Sequence, residues 1–154
     1  MEIIYRHADK NDIAQLAQNR WDFQLVGREE YQKTEQEYLK FCEKFLTEQF
    51  DSNSWIHFVA ELEGEIISHV SLQIIENLPI PGRLENRWGY LTNAYTKPNF
   101  RRQGLCTNLV KNALDWADKN DLKKVILWPR ETSIAIYKKF GFSQEGAVME
   151  RIIS

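Results

Sequence analysis

The sequence has few of the residues that form disulfides and turns in small secreted proteins: among 154 residues there are two cysteines, four prolines and seven glycines. Two thiols are too few for a disulfide framework, so we expect a reducing compartment, the cytoplasm. The cysteines and histidines also show none of the spacings of a metal site, and we predict no bound metal. The residues concerned are Cys42, Cys106, His7, His57 and His69.

An excess of positive charge and long apolar runs are also missing. The formal net charge is −2 and no basic stripe runs along the chain, whereas a nucleic-acid-binding domain is usually strongly basic. No apolar run approaches the roughly 18 residues that would span a bilayer. Residues 1–8 lack the basic start and the apolar stretch of a signal peptide. We therefore expect neither nucleic acid nor a membrane as a partner.

What is present is the composition of a globular protein. Hydrophobic residues make up 43% of the chain and charged residues 27%, which excludes disordered and low-complexity classes. No internal repeat or Gly/Ser linker interrupts the chain, and its length suits one domain of ~100–200 residues. The sequence therefore predicts a single domain over residues 1–154.

Hydrophobic periodicity predicts an α/β (α+β) domain. The expected order is strand, two helices, three strands, helix, strand, helix, strand, in which hairpins give antiparallel pairs and helical crossovers give parallel ones. The sheet should therefore be mixed and mostly antiparallel, with helices flanking it. The predicted strands are Glu2–His7, Trp55–Leu62, Ile66–Ile75, Trp88–Thr96, Val125–Trp128 and Gly146–Ile153, and the later helices are Gly104–Lys119 and Glu131–Phe140.

The turn between the fourth strand and the following helix has the features of an anion site. Arg101, Arg102 and Gly104 lead directly into the first helical turn. The first four N–H groups of a helix have no intrahelical partner, and the macrodipole adds partial positive charge there, so phosphate is a natural ligand. Neither Gly-x-x-x-x-Gly-Lys-Ser/Thr nor Gly-x-Gly-x-x-Gly is present, which excludes a P-loop and disfavours a dinucleotide fold.

The chain contains Arg101-Arg102-Gln103-Gly104-Leu105-Cys106 and, further on, Ile136-Tyr137-Lys138-Lys139-Phe140-Gly141-Phe142. These two segments resemble motifs of the GNAT superfamily of acetyl-CoA-dependent N-acetyltransferases. That family has a pyrophosphate motif, Gln/Arg-x-x-Gly-x-Gly/Ala, and a later Leu-Tyr-x-x-x-Gly-Phe signature. The first segment matches the pyrophosphate motif at its first and fourth positions, and the second segment is similar to the later signature. The predicted element order fits the family over nearly the whole chain.

The resemblance implies a fold, a cosubstrate and a reaction. The sheet should splay after strand 4, and an acetyl group should pass from acetyl-CoA to a primary amine of a small molecule or peptide by direct attack. Family members often form dimers, so a homodimer is one expected state. The implied coenzyme-binding residues hold the pantetheine arm by strand backbone and the pyrophosphate by the turn: Ala94, Tyr95, Thr96, Arg101, Arg102, Gln103, Gly104, Leu105, Cys106 and Thr107.

The resemblance also implies candidates for catalysis. Tyr137 corresponds to a phenol (pKa ~10) that can protonate the departing thiolate as a general acid. The family's usual base positions fall near Tyr90 and Thr92, neither of which is a base at neutral pH. Glu85, at the start of the fourth strand, is a further candidate that would act through water, or else a solvated loop carboxylate.

Several residues have a structural interpretation beside the functional one. Cys106 stands where the family usually has Gly or Ala, and we expect it to pack because no base is near it in sequence. His57 and His69 lie in apolar strands and are expected to be hydrogen-bonded there. Arg130 and Ser133 depart from the Asn and Ala often found ahead of the tyrosine. Residues of the first helix region either shape the acceptor site or serve the structure: Trp21, Phe23, Glu29 and Glu30.

One rival hypothesis belongs to a different class of function. Because no carboxylate occupies the usual base positions, the chain could be a non-catalytic acyl-CoA-binding or sensor module of the same fold. The presence of Tyr137 weighs against it. Release of thiol from acetyl-CoA in the presence of amines distinguishes the two.

Overall fold

The computed structural model describes residues 1–144, 146 and 148–153. A single sheet with helices on both faces makes up this part of the chain. Short 3₁₀ turns precede α1, α2 and α4 and follow β4. The elements are β1 Ile4–His7, α1 Ile13–Leu25, α2 Glu35–Ser52, β2 Trp55–Leu62, β3 Glu65–Asn77, β4 Asn86–Thr96, α3 Leu105–Lys119, β5 Val125–Ile126 and α4 Ile134–Lys139.

The sheet is mixed and mostly antiparallel, as the sequence predicts. Its strand order is β1-β2-β3-β4-β5, and only the β4–β5 pair is parallel. The β2–β3 hairpin turns on two residues, Glu63 and Gly64, which both have positive φ (51° and 84°). Positive φ at both central residues matches the right-handed twist of the paired strands and makes so short a connection possible.

Alternation along the strands builds one hydrophobic cluster on each face of the sheet. Phe58 packs with α3 on one face, while the next residue, Val59, packs with α1 and α2 on the other. In the same way, Ile67 belongs to the cluster that packs with α3, and Ile66 belongs to the cluster that packs with α1 and α2. Because both faces are covered, β3 is buried continuously from Ile66 to Leu72 rather than at alternate positions.

Helix α3 anchors the turn that precedes it. Its buried residues recur at helical spacing, so one apolar stripe faces the sheet while the other side carries Lys and Asp. Leu105, its first residue, is only 3% exposed. The N-terminus of this helix is therefore held firmly against β4. The buried stripe consists of Leu105, Leu109, Val110, Ala113 and Ala117.

The last predicted strand, Gly146–Ile153, is not formed in the described residues. Gly146 and residues 148–153 have no strand assignment, and Ala147 lies outside the described part. Val148 and Ile152 are largely exposed. The prediction rested on apolar content alone, and none of the described strands pairs with this segment.

None of the described helices combines the length and apolar character of a membrane span. No group of three or more His, Cys, Asp or Glu side chains in the same residues has an arrangement that could hold a metal ion.

Candidate active site

A cleft opens in the sheet where β4 and β5 separate. The two strands pair only at Gly89–Val125 and Tyr90–Ile126. Beyond Tyr90, β4 continues to Thr96, and none of the residues that the structure describes pairs with it on its β5 side, so this edge is available to a ligand. This is the splay after strand 4 that the sequence predicts.

A β-bulge in β4 lies at the same place. Thr92 pairs with Ser71 and Tyr95 with His69, so two residues of β4, Asn93 and Ala94, stand opposite a single residue of β3. Asn93 has a positive φ of 56°. A bulge bends its strand and interrupts the ladder, and here it does so along the wall of the cleft.

The cleft holds a cavity of about 390 Å³, within the ~300–1,000 Å³ range of small-molecule sites. Five separate parts of the chain contribute to its wall: α1, β4, the start of α3, the segment after β5, and α4 with the turn before it. The lining residues are Arg20, Phe23, Gln24, Tyr90, Leu91, Thr92, Asn93, Ala94, Cys106, Thr107, Val110, Leu127, Trp128, Pro129, Arg130, Ser133, Ile136 and Tyr137.

The basic turn leads into this cavity. Among the described residues, no protein acceptor is found for the backbone N–H groups from Arg102 to Thr107, and the first backbone bond of the helix runs from Asn108 to Gly104. Gly104 has a φ of +76°, and a side chain at this position would point into open space. Glycine is therefore favoured by the backbone conformation rather than by crowding. The turn presents free amides at a helix N-terminus, which is an anion site.

The two arginines of the turn add positive charge at its surface. Arg101 Nε donates a 3.0 Å hydrogen bond to the carbonyl of Thr96, which ties the turn to the end of β4. In the described part of the chain, neither Arg101 nor Arg102 lies within salt-bridge distance of a carboxylate. Their charge is thus available to an anionic ligand.

Tyr137 lies across the cavity on α4. Its side chain is partly buried and its ring meets Phe142 edge-on, with 5.7 Å between ring centroids. Burial, with a smaller effect from the nearby Cys106, raises the pKa of the phenol above its usual value of ~10. Tyr137 is therefore protonated at neutral pH and can act as a proton donor.

Of the other catalytic candidates, two line the cavity and one lies outside it. Tyr90 and Thr92 line the cavity, and the ring of Tyr90 meets that of Trp128 edge-on at 5.1 Å. Glu85 precedes β4, its side chain is 84% exposed, and it faces Arg87 at 3.7 Å outside the cavity. The lining residues that the structure describes include no Asp or Glu.

Cys106 and the two strand histidines occupy positions that suit packing. Burial raises the pKa of the Cys106 thiol, which keeps it protonated. His57 shares a 2.7 Å hydrogen bond with Ser71 Oγ, and His69 Nδ1–H donates to the carbonyl of Asn93 at 2.9 Å. Burial lowers the pKa of His57 to about 4 and that of His69 to about 3, so both rings are neutral at pH 7.

Of the four residues in the first helix region that the sequence offers for the acceptor site, one lines the cavity. Phe23 lines the cavity, but Trp21 is buried against Tyr38 at 5.1 Å and serves the core. Glu29 and Glu30 lie in the exposed 3₁₀ turn after α1, outside the cavity.

The sequence analysis does not identify two polar residues that line the cavity, Arg20 and Asn93. Arg20 Nη1 donates a 3.1 Å hydrogen bond to Asn93 Oδ1 in the wall of the cavity. An arginine on an amphipathic helix carries no distinctive signal. Asn93 carries a weak one, because asparagine is unusual within a strand and tolerates the positive φ of a bulge.

Comparisons with known proteins agree with this architecture. An N-alpha-acetyltransferase of Sulfolobus acidocaldarius is 32% identical over 108 residues, which cover 65% of this chain and 63% of that protein. The match thus spans less than two thirds of the relative's length. A predicted acetyltransferase of Clostridium acetobutylicum, solved with acetyl-CoA, superposes with a TM-score of 0.76 at 24% identity, covering 97% of this chain and 96% of that one. A GCN5-related N-acetyltransferase of Ralstonia eutropha JMP134 gives 0.77 at 21% identity, with coverages of 98% and 99%.

The likeness to the two solved structures concerns the fold, and it confirms the mixed sheet flanked by helices. Membership of a family is shown by a separate comparison. The model of the acetyltransferase (GNAT) family matches residues 13–142, a range that includes both sequence motifs, the cleft and Tyr137. The chain belongs to the acetyltransferase (GNAT) family.

Proposed function

We propose that this protein transfers the acetyl group of acetyl-CoA to a primary amine by direct attack. One observation carries the proposal: a run of unpaired amides at the N-terminus of α3 lies beside the cavity that Tyr137 lines. A phosphate site and a proton donor thus flank one cleft, which suits a long cosubstrate with phosphates at one end and a reactive thioester at the other. Residues 1–154 would act as one domain in the cytoplasm, either alone or as a homodimer.

The residues of the turn and of β4 fit acetyl-CoA. The amides from Arg102 to Thr107 would hold the pyrophosphate, and the Arg101 and Arg102 side chains would supply charge-assisted contacts. The open edge of β4, from Ala94 through Tyr95 to Thr96, would hold the pantetheine arm by backbone hydrogen bonds. Support comes from the absence of any strand on that edge among the described residues.

Acetyl-CoA, when bound, supplies an activated acetyl thioester. As the amine nitrogen forms its bond to the acetyl carbon, the carbon–sulfur bond would break, and Tyr137 would donate its phenolic proton to the departing thiolate. The raised pKa of the phenol keeps that proton in place until negative charge develops on sulfur. The proton that the acylated nitrogen then loses would return to the Tyr137 phenolate directly or through water. A backbone N–H at the β4 bulge would polarise the thioester carbonyl, as an oxyanion-type contribution.

The amine would arrive neutral rather than be deprotonated by a carboxylate in the cavity. No Asp or Glu lines the described cavity wall, and Glu85 is exposed outside it. Deprotonation would then take place in solution or through water. The same observation favours the rival function, a non-catalytic acyl-CoA-binding module.

Thiol release separates the two functions. The protein is incubated with acetyl-CoA and a panel of primary amines, and free thiol and acetylated amine are both quantified. Amine-dependent thiol release with equimolar acetylated product supports the transferase. Calorimetric binding of acetyl-CoA without amine-dependent release from any amine would support the binding module instead.

A further inference from the structure

Two arginines line the cavity beside the same aromatic ring. Arg20 comes from α1 and Arg130 from the segment after β5, and both line the cavity. Their guanidinium carbons lie 5.8 Å and 4.9 Å from the centroid of one aromatic ring, that of Phe23. Two positive charges are thus gathered around a single side chain in the cavity wall.

No carboxylate in the described structure forms an ion pair with either arginine. Neither Arg20 nor Arg130 lies within 4 Å of a carboxylate there, and the described lining contains no Asp or Glu. Near Arg20, the phenol of Tyr38 and the thiol of Cys42 are neutral because burial raises the pKa of each. Like charges held close together are unfavourable unless a counter-ion is present.

Arg20 is held in place by a buried polar chain rather than by an acid. Its Nη1 donates to Asn93 Oδ1 at 3.1 Å, and Asn93 Nδ2 donates to Ser71 Oγ at 3.1 Å. Ser71 Oγ in turn shares a 2.7 Å hydrogen bond with His57 Nδ1, and Ser71 and His57 are buried. An amide partner orients the guanidinium but leaves its charge unneutralised, so Arg20 is preorganised for an anion.

The cosubstrate does not need these two charges. The phosphates of acetyl-CoA are assigned to the turn at the N-terminus of α3, where free amides and the two exposed arginines are available. The pantetheine arm and thioester, which would lie along β4 toward Tyr137, are uncharged. The remaining occupant of the cavity is the acceptor.

We infer that the acceptor amine carries an anionic group, a carboxylate or a phosphate, which Arg20 and Arg130 bind while its amine faces the thioester. This inference rests on the proposed function and narrows its substrate class. The planar guanidinium matches both anions in a bidentate manner. Phe23, which both arginines contact, would set the spacing between them.

The test measures binding as well as turnover. Each L-α-amino acid is paired with its carboxamide, and phosphoethanolamine is paired with ethanolamine, so that members of a pair differ in the anionic group. Each compound is titrated calorimetrically into the full-length protein saturated with coenzyme A, and thiol release from acetyl-CoA is measured in parallel. At least one anionic member should bind about tenfold more tightly than its neutral counterpart, which corresponds to about 1.4 kcal/mol. The carboxylate and phosphate arms identify which anion is preferred.

Variants assign the preference to the pair of arginines. Arg20→Gln and Arg130→Gln should each lower the anionic preference about tenfold, with the affinity for acetyl-CoA nearly unchanged. Arg83→Gln removes the same charge from the loop between β3 and β4, outside the cavity, and should retain the preference. Circular dichroism and thermal unfolding verify that each variant is folded.

The outcomes separate this inference from the proposed function. Anionic preference without thiol release would retain the inference and overturn catalysis. Thiol release with equal or better use of neutral amines would retain catalysis and overturn the inference. Absence of binding by every anionic member would also overturn it. A large loss of acetyl-CoA affinity in Arg20→Gln with unchanged amine preference would show that the arginines serve the cosubstrate instead.

Discussion

At the scale of single residues, the proposed chemistry depends on one proton. The Tyr137 phenol is partly buried, its pKa is raised by that burial, and it shares the cavity wall with Cys106. The ring also packs edge-on against Phe142. Removing the hydroxyl while keeping the ring therefore tests chemistry and packing separately.

Tyr137→Phe should lower kcat by a factor of ~10²–10⁴, the usual contribution of general acid catalysis. Affinity for acetyl-CoA should change little, since at most one hydrogen bond of ~0.5–1.5 kcal/mol is lost. Rapid-quench kinetics under single-turnover conditions measure the chemical step, and calorimetry measures binding. Tyr90→Phe, which removes another phenol of the same cavity, is the matched comparison and should lose less. A folded Tyr137→Phe protein with wild-type single-turnover rate would assign Tyr137 to packing alone.

Glu85 provides the corresponding test of the base. Because its carboxylate is 84% exposed and lies outside the cavity, Glu85→Gln should leave the pH dependence of kcat/KM almost unchanged. The rate should rise with pH toward the pKa of the acceptor amine in both proteins. Glu63→Gln, in the β2–β3 turn, controls for loss of a surface charge. Disappearance of an acidic limb in Glu85→Gln alone would show that this carboxylate is the base after all.

At the scale of elements, the proposed phosphate site is formed by the turn and α3 together. Leu105 and Leu109 anchor the helix in the core, so the free amides of its first turn are held at a defined place beside the cleft. Neither the turn nor the helix alone has this property, because the turn supplies the backbone conformation and the helix supplies the dipole.

Substitution of Gly104 tests this element with matched side chains. Asp and Asn have nearly the same size, both meet the same positive φ, and open space surrounds the position, so they differ chiefly in charge. Gly104→Asp should weaken acetyl-CoA binding by about tenfold or more relative to Gly104→Asn, because a carboxylate would oppose the pyrophosphate. Calorimetry on both folded variants measures the difference. Equal affinities would contradict the assignment of phosphate to this turn.

At the scale of the whole molecule, the interior of the sheet makes stability depend on pH. His57 and His69 are buried and neutral, with pKa values lowered by burial to about 4 and about 3. An unfolded histidine has a pKa of ~6.5. Between these values the unfolded chain binds protons that the folded chain does not, so unfolding becomes more favourable as pH falls.

The contribution of these two histidines to the free energy of unfolding should therefore be constant above pH ~6.5. Below that pH, the free energy of unfolding should decrease. The expected slope is about 1.4 kcal/mol per pH unit for each histidine, continuing to about pH 4 for His57 and about pH 3 for His69. Urea unfolding at a series of pH values measures it. His57→Asn should reduce the slope. A wild-type protein equally stable at pH 7 and pH 5 would contradict the prediction.

The Arg6–Asp12 ion pair also makes stability depend on pH, but in a lower pH range than the two histidines. Arg6 holds the pKa of the Asp12 carboxyl below its usual value, mainly through a direct hydrogen bond. Its contribution to stability is complete above pH ~3.8 and is lost below that, as the pH falls through the lowered pKa. The loss between pH 6.5 and 4 thus belongs to the histidines.

Local pattern in the sequence by itself determined the order of the elements, the basic turn and the position of Tyr137. Hydrophobic periodicity marks α3 because one face of a helix must be buried wherever it packs, and Gly104 marks the turn because its backbone needs a positive φ. The same local reasoning failed for the predicted strand Gly146–Ile153, where apolar content suggested a strand but none of the described strands pairs with Gly146 or residues 148–153.

Only the tertiary structure decided which side chains share the cleft. Arg20 and Arg130 are far apart in sequence, and they meet on Phe23 because α1 and the segment after β5 border the same opening. The bulge at Asn93 arises from the pairing register of β3 and β4, which no single strand encodes. Glu85, immediately before β4 in sequence, is exposed to solvent outside the cavity. Contacts between distant segments depend on how the sheet and helices pack, so the local pattern of the chain does not contain them.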